Sequence, residues 1–291
     1  MARGFTLCVV VTIMLAPAMA ACQSPDQYHI MLVNDDGVDA PGIAAMAEVL
    51  VADPGIRLTV VAPLEQQSGM AHALIFKREV AVRNHEALAG APTYSVDATP
   101  ASATRMGVSA ILAEDPPDLI VSGINRGENI GRIAWYSGTV GAAREAVMAG
   151  FSSVAFSLQL DWENPEPDFL AAARLAKVVV DAVRAHGLPP GVYLNVNIPM
   201  EPAQAKGYRL ARMSLARDQL NRYQMVREED GVRYYKSRWM PPDELEPGSD
   251  AQALRDGWVS LAPLHLDATD YEALPLLQGF ELALPELAAK K

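Results

Sequence analysis

The sequence predicts an α/β fold built on one mostly parallel sheet, with a smaller extension or hairpin at its C-terminal end. Three observations lead there. Short, almost wholly apolar runs recur at Ile30–Val33, Arg57–Ala62, Asp118–Ser122 and Ser153–Leu158, the pattern of strands buried on both faces. Between them lie segments with helical spacing of apolar residues, so strand and helix alternate as in βαβ units. From Leu215 to Asp250 the sequence turns charged, aromatic and proline-rich, which reads as a protruding hairpin or long loop.

Composition agrees with a globular chain. The 291 residues are 50% hydrophobic and 20% charged, with a formal net charge of −11. That is enough chain for one large domain or two small ones. The negative balance argues against a nucleic-acid polymer as partner, which calls for basic patches. It leaves room for a small phosphorylated ligand, because a bound metal inverts local charge logic.

The N-terminus stands apart. Arg3 is the only charge before Asp26, Phe5–Leu15 is apolar but short for a membrane span, and Ala18-Met-Ala20 is a small-x-small cleavage site. Residues 1–21 therefore read as a signal peptide, and 22–291 as the mature chain of a periplasmic-type protein. A second reading is lipoprotein processing, since Cys22 follows Ala20 and Ala21. Cys8 leaves with the signal, so the mature chain cannot form an internal disulfide; a leftover cysteine in an exported protein invites a membrane lipid anchor as its explanation.

In chain order, His29–Val33 leads straight into Asn34-Asp-Asp-Gly-Val-Asp-Ala-Pro-Gly42. Two adjacent carboxylates at the carboxyl end of a buried strand repel each other and are costly to desolvate unless a cation or several donors compensate. Ligands in open α/β sheets sit beyond the strand carboxyl ends, so Asp35 and Asp36 suggest a divalent-metal site; an ordinary solvated Asp-Gly turn is the plainer alternative. Pro41 opens a helix to Val51, with Ile43, Met46, Ala47 and Leu50 on one face. Arg57–Ala62 is the next strand. It ends in Pro63-Leu-Glu-Gln-Gln-Ser-Gly69, which the βαβ rule places beside the first loop. Ser68 offers a small oxygen ligand there. His72 reads as a surface or packing residue, with substrate contact as the alternative.

Lys77–Asp97 alternates and carries polar turns, as a strand or hairpin flanking the sheet would. Ala101–Leu112 is expected to be helical after Thr99-Pro100. Asp118–Ser122 runs into Gly123-Ile-Asn-Arg-Gly-Glu-Asn-Ile-Gly131, a second glycine-punctuated loop whose Asn125 and Asn129 offer neutral oxygens and amide donors. Ser137, Gly138 and Thr139 then start a helix over Val140–Ala149, stopped by Gly150. Free N–H groups, two hydroxyls and the helix dipole make that start an anion site, or simply an N-cap. Ser153–Leu158 is a strand, Phe169–His186 an amphipathic helix, and Gly191–Ile198 a strand; Gly207–Met213 and Asp256–Pro263 have strand character. The tail from Leu264 reads as a short helix or an arm toward a neighbouring subunit.

Several classes lack their signatures. There is no Gly-x-Gly-x-x-Gly at the first turn, no P-loop, no Gly-x-Ser-x-Gly elbow, no Cys/His zinc spacing and no internal repeat. What remains is Asp35, Asp36, Ser68 and Asn125 at one edge of one sheet, followed by the helix start at Ser137–Thr139. All these groups are hard oxygen donors, suited to Mg²⁺, Mn²⁺ or Ca²⁺ rather than zinc. A hard cation beside an anion-binding helix start is the pairing that holds and polarises a phosphate ester.

The residues also carry a resemblance. Val33-Asn-Asp-Asp-Gly37 with Ala40-Pro-Gly-Ile43, Val61-Ala-Pro63 with Gln67-Ser-Gly69, Val121-Ser-Gly-Ile-Asn125 with Asn129-Ile-Gly131, and Tyr136-Ser-Gly-Thr-Val140 resemble the SurE family of survival-protein nucleotidases. Leu194-Asn-Val-Asn-Ile-Pro199 and Val259-Ser-Leu-Ala-Pro-Leu264 are similar to its later landmarks. The resemblance implies a Rossmann-like three-layer core, about residues 27–200, with a C-terminal extension, about 201–291, in a single phosphatase domain. It implies a phosphomonoesterase, a 5′-nucleotidase or acid-phosphatase-like hydrolase, acting on nucleoside 5′- and 3′-monophosphates with one divalent cation. It also implies homodimers or homotetramers joined through exchanged C-terminal segments. The metal ligands it implies are Asp35, Asp36, Ser68 and Asn125; the phosphate contacts are Asn129, Ser137, Gly138 and Thr139; Asp35 or Asp36 is the candidate catalytic base. Ala98-Thr-Pro-Ala-Ser-Ala103 lacks the Asp and Cys usual to the family, and Arg132 and Ile133 stand where an acidic residue is usual. An exported binding protein that captures a phosphorylated ligand without turnover is the alternative to an enzyme.

Overall fold

The structure is a computed structural model and describes residues 27–160, 166–216, 222–238 and 245–280. The segment expected to be a signal peptide, Cys22 and the end of the tail lie outside these residues.

Strand β1 (Tyr28–Val33) lies next to the centre of the sheet, and everything from Ile30 onward in it is fully buried. Its neighbours are β2 (Ile56–Pro63) on one side and β5 (Leu119–Arg126) on the other, both parallel. Beyond β2 come β4 (Ala91–Val96), parallel, and β3 (Val82–Leu88), antiparallel at the edge. Beyond β5 come β6 (Ser152–Leu158) and β7 (Val192–Ile198), parallel, then β11 (Val259–His265), antiparallel to β7, and β8 (Tyr208–Leu210) beside it. The nine-stranded order is β3-β4-β2-β1-β5-β6-β7-β11-β8. The chain beyond residue 200 thus returns to the core sheet. The mostly parallel α/β fold is as the apolar runs suggested.

Helices cover both faces. Helices α1 (Pro41–Val51) and α4 (Phe169–His186) pack on each other and on one face, burying Met46, Leu50, Ala176 and Val180 against Ile30 and Leu32. Helices α2 (Pro100–Met106) and α3 (Gly138–Met148) pack on the other, burying Ala103, Ala142 and Ala146 against Met31 and Val33. Alternation along β1 thus divides its side chains between two cores, and truncating a residue such as Leu32 to Ala should remove about 2–5 kcal/mol of stability. The helix expected over Ala101–Leu112 changes character: after Met106 the chain forms a π-helical turn, Gly107–Ile111. A Cβ at Gly107 would overlap the Met31 side chain, so the widened turn sits where the helix lies tightly on β1.

The charged stretch holds a separate two-stranded hairpin, β9 (Arg222–Glu229) and β10 (Val232–Arg238). A short helix, α5 (Asp250–Arg255), capped by Ser249, precedes β11, and α6 (Ala273–Leu277) lies in the tail. Neither the cap nor α5 was evident from the sequence. Among the described residues no helix is long and apolar enough to cross a membrane.

Candidate functional site

The alternation along β1 continues into its loop and orients the acid pair. Asp35 turns toward the α2/α3 face, where the Thr139 hydroxyl donates to its Oδ1 at 2.5 Å. It is buried, only 3% exposed. Asp36 sits between the next loops: the Arg126 N–H donates to its Oδ2 at 2.9 Å, and the Gln66 side chain hydrogen-bonds it as well. Burial pushes the Asp35 carboxyl up to about 7, helped by the adjacent Asp36 charge and opposed by the Thr139 donors. Burial also raises Asp36, against the Arg126 N–H, Gln66 and the Arg126 charge. A carboxylate pair held this way disfavours its own ionised form, the condition that a hard cation relieves.

The other loops are tied to the pair. The Gln67 N–H donates to the Asp35 carbonyl at 2.7 Å, bringing Ser68 to the same crest with its side chain exposed. The Asn125 Nδ2 donates to the Gly127 carbonyl at 2.7 Å, so its amide oxygen is the end left for a cation. The ladder between β5 and β6 shifts register between Ser122 and Asn125 and resumes with Asn125 opposite Ser157, so Asn125 sits in the last residues of β5.

The start of α3 closes the site. Ser137 is its N-cap, accepting from the Val140 N–H at 3.1 Å, and keeps its own hydroxyl proton to donate. Gly138 lies so close to the acid pair that a Cβ there would sit 2.8 Å from the Asp35 Cβ and 3.0 Å from Pro100 Cγ. Thr139 is fully buried. The first turn of α3 therefore already faces an anion, the Asp35 carboxylate. Asn129 is placed differently. It is buried, its amide donates to Ser157 Oγ at 2.8 Å, its N–H donates to Asn197 Oδ1 at 2.7 Å, and its carbonyl accepts from the Asn195 amide at 2.7 Å. Its side chain ties the 127–131 loop to β6 and its backbone ties it to β7.

Sequence reading missed several partners. Gln66 and Arg126 flank Asp36. Asp250 is buried and accepts from the N–H groups of Gly131 and Ser214, each at 2.9 Å, fastening the second loop to the C-terminal region. Asn195 and Asn197, fully buried at alternate positions of one strand, were a signal: two such amides inside a sheet need internal partners. The departure at Ala98–Ala103 also has a place. Thr99 caps α2, and Ser102 Oγ accepts from the Ile75 N–H at 2.9 Å.

The residues fit a hydrated hard cation. Among the described residues no group of three or more His, Cys, Asp or Glu is gathered as a metal cluster. The donor set is two carboxylates with neutral Ser and Asn oxygens, few enough to leave several positions to water, as Mg²⁺ prefers. Asn34 Oδ1, just past the end of β1, and Ser122 Oγ, on the last β5 residue paired with β1, are buried without a hydrogen-bond partner. Polar atoms of this kind call for water or an ion.

Fold and site together define a class: an open, mostly parallel α/β protein whose carboxyl-end crest joins a buried acid pair to the start of a helix. Within it, residues 30–219 match the family model described as survival protein SurE. The chain is 38% identical over 260 residues to a 5′-nucleotidase SurE of Geobacter sulfurreducens, covering 88% of this chain and 94% of that one. It is 39% identical over 254 residues to 5′-nucleotidase SurE 1 of Thermus thermophilus, covering 86% and 97%. A crystal structure of the SurE protein from Aquifex aeolicus superposes with a TM-score of 0.74 at 34% identity, covering 86% of this chain and 98% of that one. The chain belongs to the SurE family.

Proposed function

We propose that the protein is a 5′-nucleotidase, a metal-dependent phosphomonoesterase that hydrolyses nucleoside 5′-monophosphates, and 3′-monophosphates as well, to nucleoside and phosphate. The observation that carries this reading is the contact between buried Asp35 and Thr139, which brings an acid pair to the first turn of α3. Its relatives, matched over nearly their whole length, bear the nucleotidase name.

Asp35, Asp36, Ser68 and the Asn125 amide would hold a divalent cation, Mg²⁺ or Mn²⁺. Bound there, such an ion supplies Lewis acidity toward a phosphate oxygen and lowers the pKa of water. The protein's own groups do the rest. The Ser137 hydroxyl and the Gly138 N–H offer donors to the phosphate oxygens as charge redistributes over them. Thr139 orients Asp35, while Gln66 and the Arg126 N–H orient Asp36, so that one of the two carboxylates can accept the proton of the attacking water. Asp35→Asn and Asp36→Asn should each lower phosphate release from AMP by roughly 10²–10³-fold while circular dichroism stays native. Full activity in either variant, or in excess EDTA, would end this account. AMP binding by the wild type without phosphate release would instead make it a capture protein.

Two further expectations belong to this reading. The N-terminal segment marks the protein for export to the periplasm, with Cys22 as a lipid anchor in the alternative processing; a palmitate label on the wild type decides between them. A homodimer or homotetramer is supported by apolar side chains that stand exposed on the β9–β10 hairpin (Tyr223, Met225, Val226, Tyr235) and on α6 (Leu274, Leu276). A hairpin is marginal when isolated in water, and large exposed apolar patches mark interaction surfaces.

A further inference from the structure

The segment from Ser68 to Ile75 contains no helix or strand, yet it is fastened at several points. Before Ser68, the Gln67 N–H reaches the Asp35 carbonyl at 2.7 Å. After it, the Ala71 N–H donates to the Tyr136 carbonyl at 3.0 Å, one residue from the Ser137 cap. Ala71 is held at a φ of 51°, a left-handed conformation that a non-glycine residue adopts only when its surroundings impose it. What imposes it is α3: a Cβ on Gly141 would overlap the Ala71 carbonyl oxygen, so the loop backbone lies directly on the helix backbone. Farther on, the Thr99 hydroxyl donates to the Ala73 carbonyl at 2.5 Å and the Ile75 N–H donates to Ser102.

At the centre of this fastening is a buried ionic group. Glu145 lies on α3 two turns beyond Ser137 and is fully buried. Its Oε2 is 2.6 Å from His72 Nε2, and its Oε1 accepts from Arg105 Nε on α2. Burying a carboxylate with such partners brings little net stability compared with apolar packing of the same volume. What it brings is geometry, because a charged acceptor fixes the direction of its donors. His72 is four residues from Ser68, and the backbone between them is pinned at Ala71.

We propose that Glu145 and His72 are positioning residues that set the Ser68 oxygen at the cation site, acting as a strut from α3 to a loop with no secondary structure of its own. The proposal rests on the reading of the crest as a cation site. Neither residue touches the cation or the substrate, and both act through Ser68.

Titration of the metal-free protein with Mn²⁺, followed by electron paramagnetic resonance, tests it without relying on turnover. His72→Gln and Glu145→Gln should each weaken Mn²⁺ binding about tenfold, the usual scale for a group that orients a ligand. Phosphate release by His72→Gln should recover as Mn²⁺ is raised. The decisive variant is the double one. If His72 acts through Ser68, then His72→Gln in a Ser68→Ala background weakens Mn²⁺ binding no further than Ser68→Ala alone. Mn²⁺ affinity of His72→Gln within about twofold of wild type, or losses that multiply in the double variant, overturn the proposal. His72 is partly accessible, 19% by side chain, so its variant gives the answer even if Glu145→Gln fails to fold. A wild type that binds no Mn²⁺ overturns the cation reading itself, and the strut with it. Wild-type binding with indifferent variants overturns only the strut.

Discussion

Asp35 sets the chemistry of the crest at the scale of single residues. Its carboxyl is pushed up to about 7 in the folded protein by burial and by Asp36, against about 3.9 for an unfolded aspartate. The folded state therefore binds the proton more tightly, and this group favours folding most below pH 4. That contribution is lost as pH rises from about 4 to 7, in total on the order of 4 kcal/mol. Asp35→Asn should raise the melting temperature of the metal-free protein at pH 8 and leave it nearly unchanged at pH 4; equal shifts at both values would contradict the assignment. Protons and cation compete for the same oxygens, so Mn²⁺ affinity of the wild type should fall below about pH 7. The acid pair was legible because two carboxylates after an apolar run have few structural uses. Gln66, Arg126 and Glu145 were not legible. A glutamate on an alanine-rich helix looks like a solvated residue until the opposing His72 and Arg105, far away in sequence, are brought to it.

The elements carry the site through close approach rather than through many bonds. The start of α3 can meet β1 because Gly138 has no side chain to keep Asp35 and Pro100 away. Gly138→Ala should destabilise by about 1–3 kcal/mol, as overpacking does, and should also reduce phosphate release and Mn²⁺ affinity. Gly150 ends the same helix at a φ of 93° with nothing within 4 Å of an added Cβ, so Gly150→Ala should lower stability alone. Comparing melting curves with activity for the two variants separates the effects. Periodicity placed α1, α3 and α4 well, since each has a clear apolar face and a sequence-level start or stop. It overran at α2, where contact with Met31 rather than the sequence pattern governs the chain beyond Met106. It also missed α5, whose six residues are too few to show a period.

Among the described residues the molecule is built on one nine-stranded sheet with a large core on each face, and the site stands at the end of β1, whose side chains are divided between them. Its order was readable only in part. The apolar runs announced the parallel centre, and Gly207–Met213, Asp256–Pro263 and the charged stretch showed strand or hairpin character, but that β11 and β8 join the same sheet depends on partners far away in sequence. A cation that binds only the folded state should stabilise it by about 2.7 kcal/mol at 100 times its dissociation constant, a rise of about 5–10 °C in melting temperature. Scanning calorimetry of the EDTA-treated protein with and without Mn²⁺ checks this, and the rise should vanish in the Asp35→Asn, Asp36→Asn double variant. The Asp35–Thr139 bond spans 104 residues of chain. An ion held by Asp35, Asp36, Ser68 and Asn125 would add a reversible cross-link alongside that bond, closing in the native state a long loop that the unfolded chain leaves open. Residues 35 to 139 include α1, β2, β3, β4, α2 and β5, so the loops such an ion would tie together are internal to the fold and not at a terminus. Binding it would then restrain the loops after β1, β2 and β5 together, so affinity becomes a property of how the fold holds those loops as much as of the ligands.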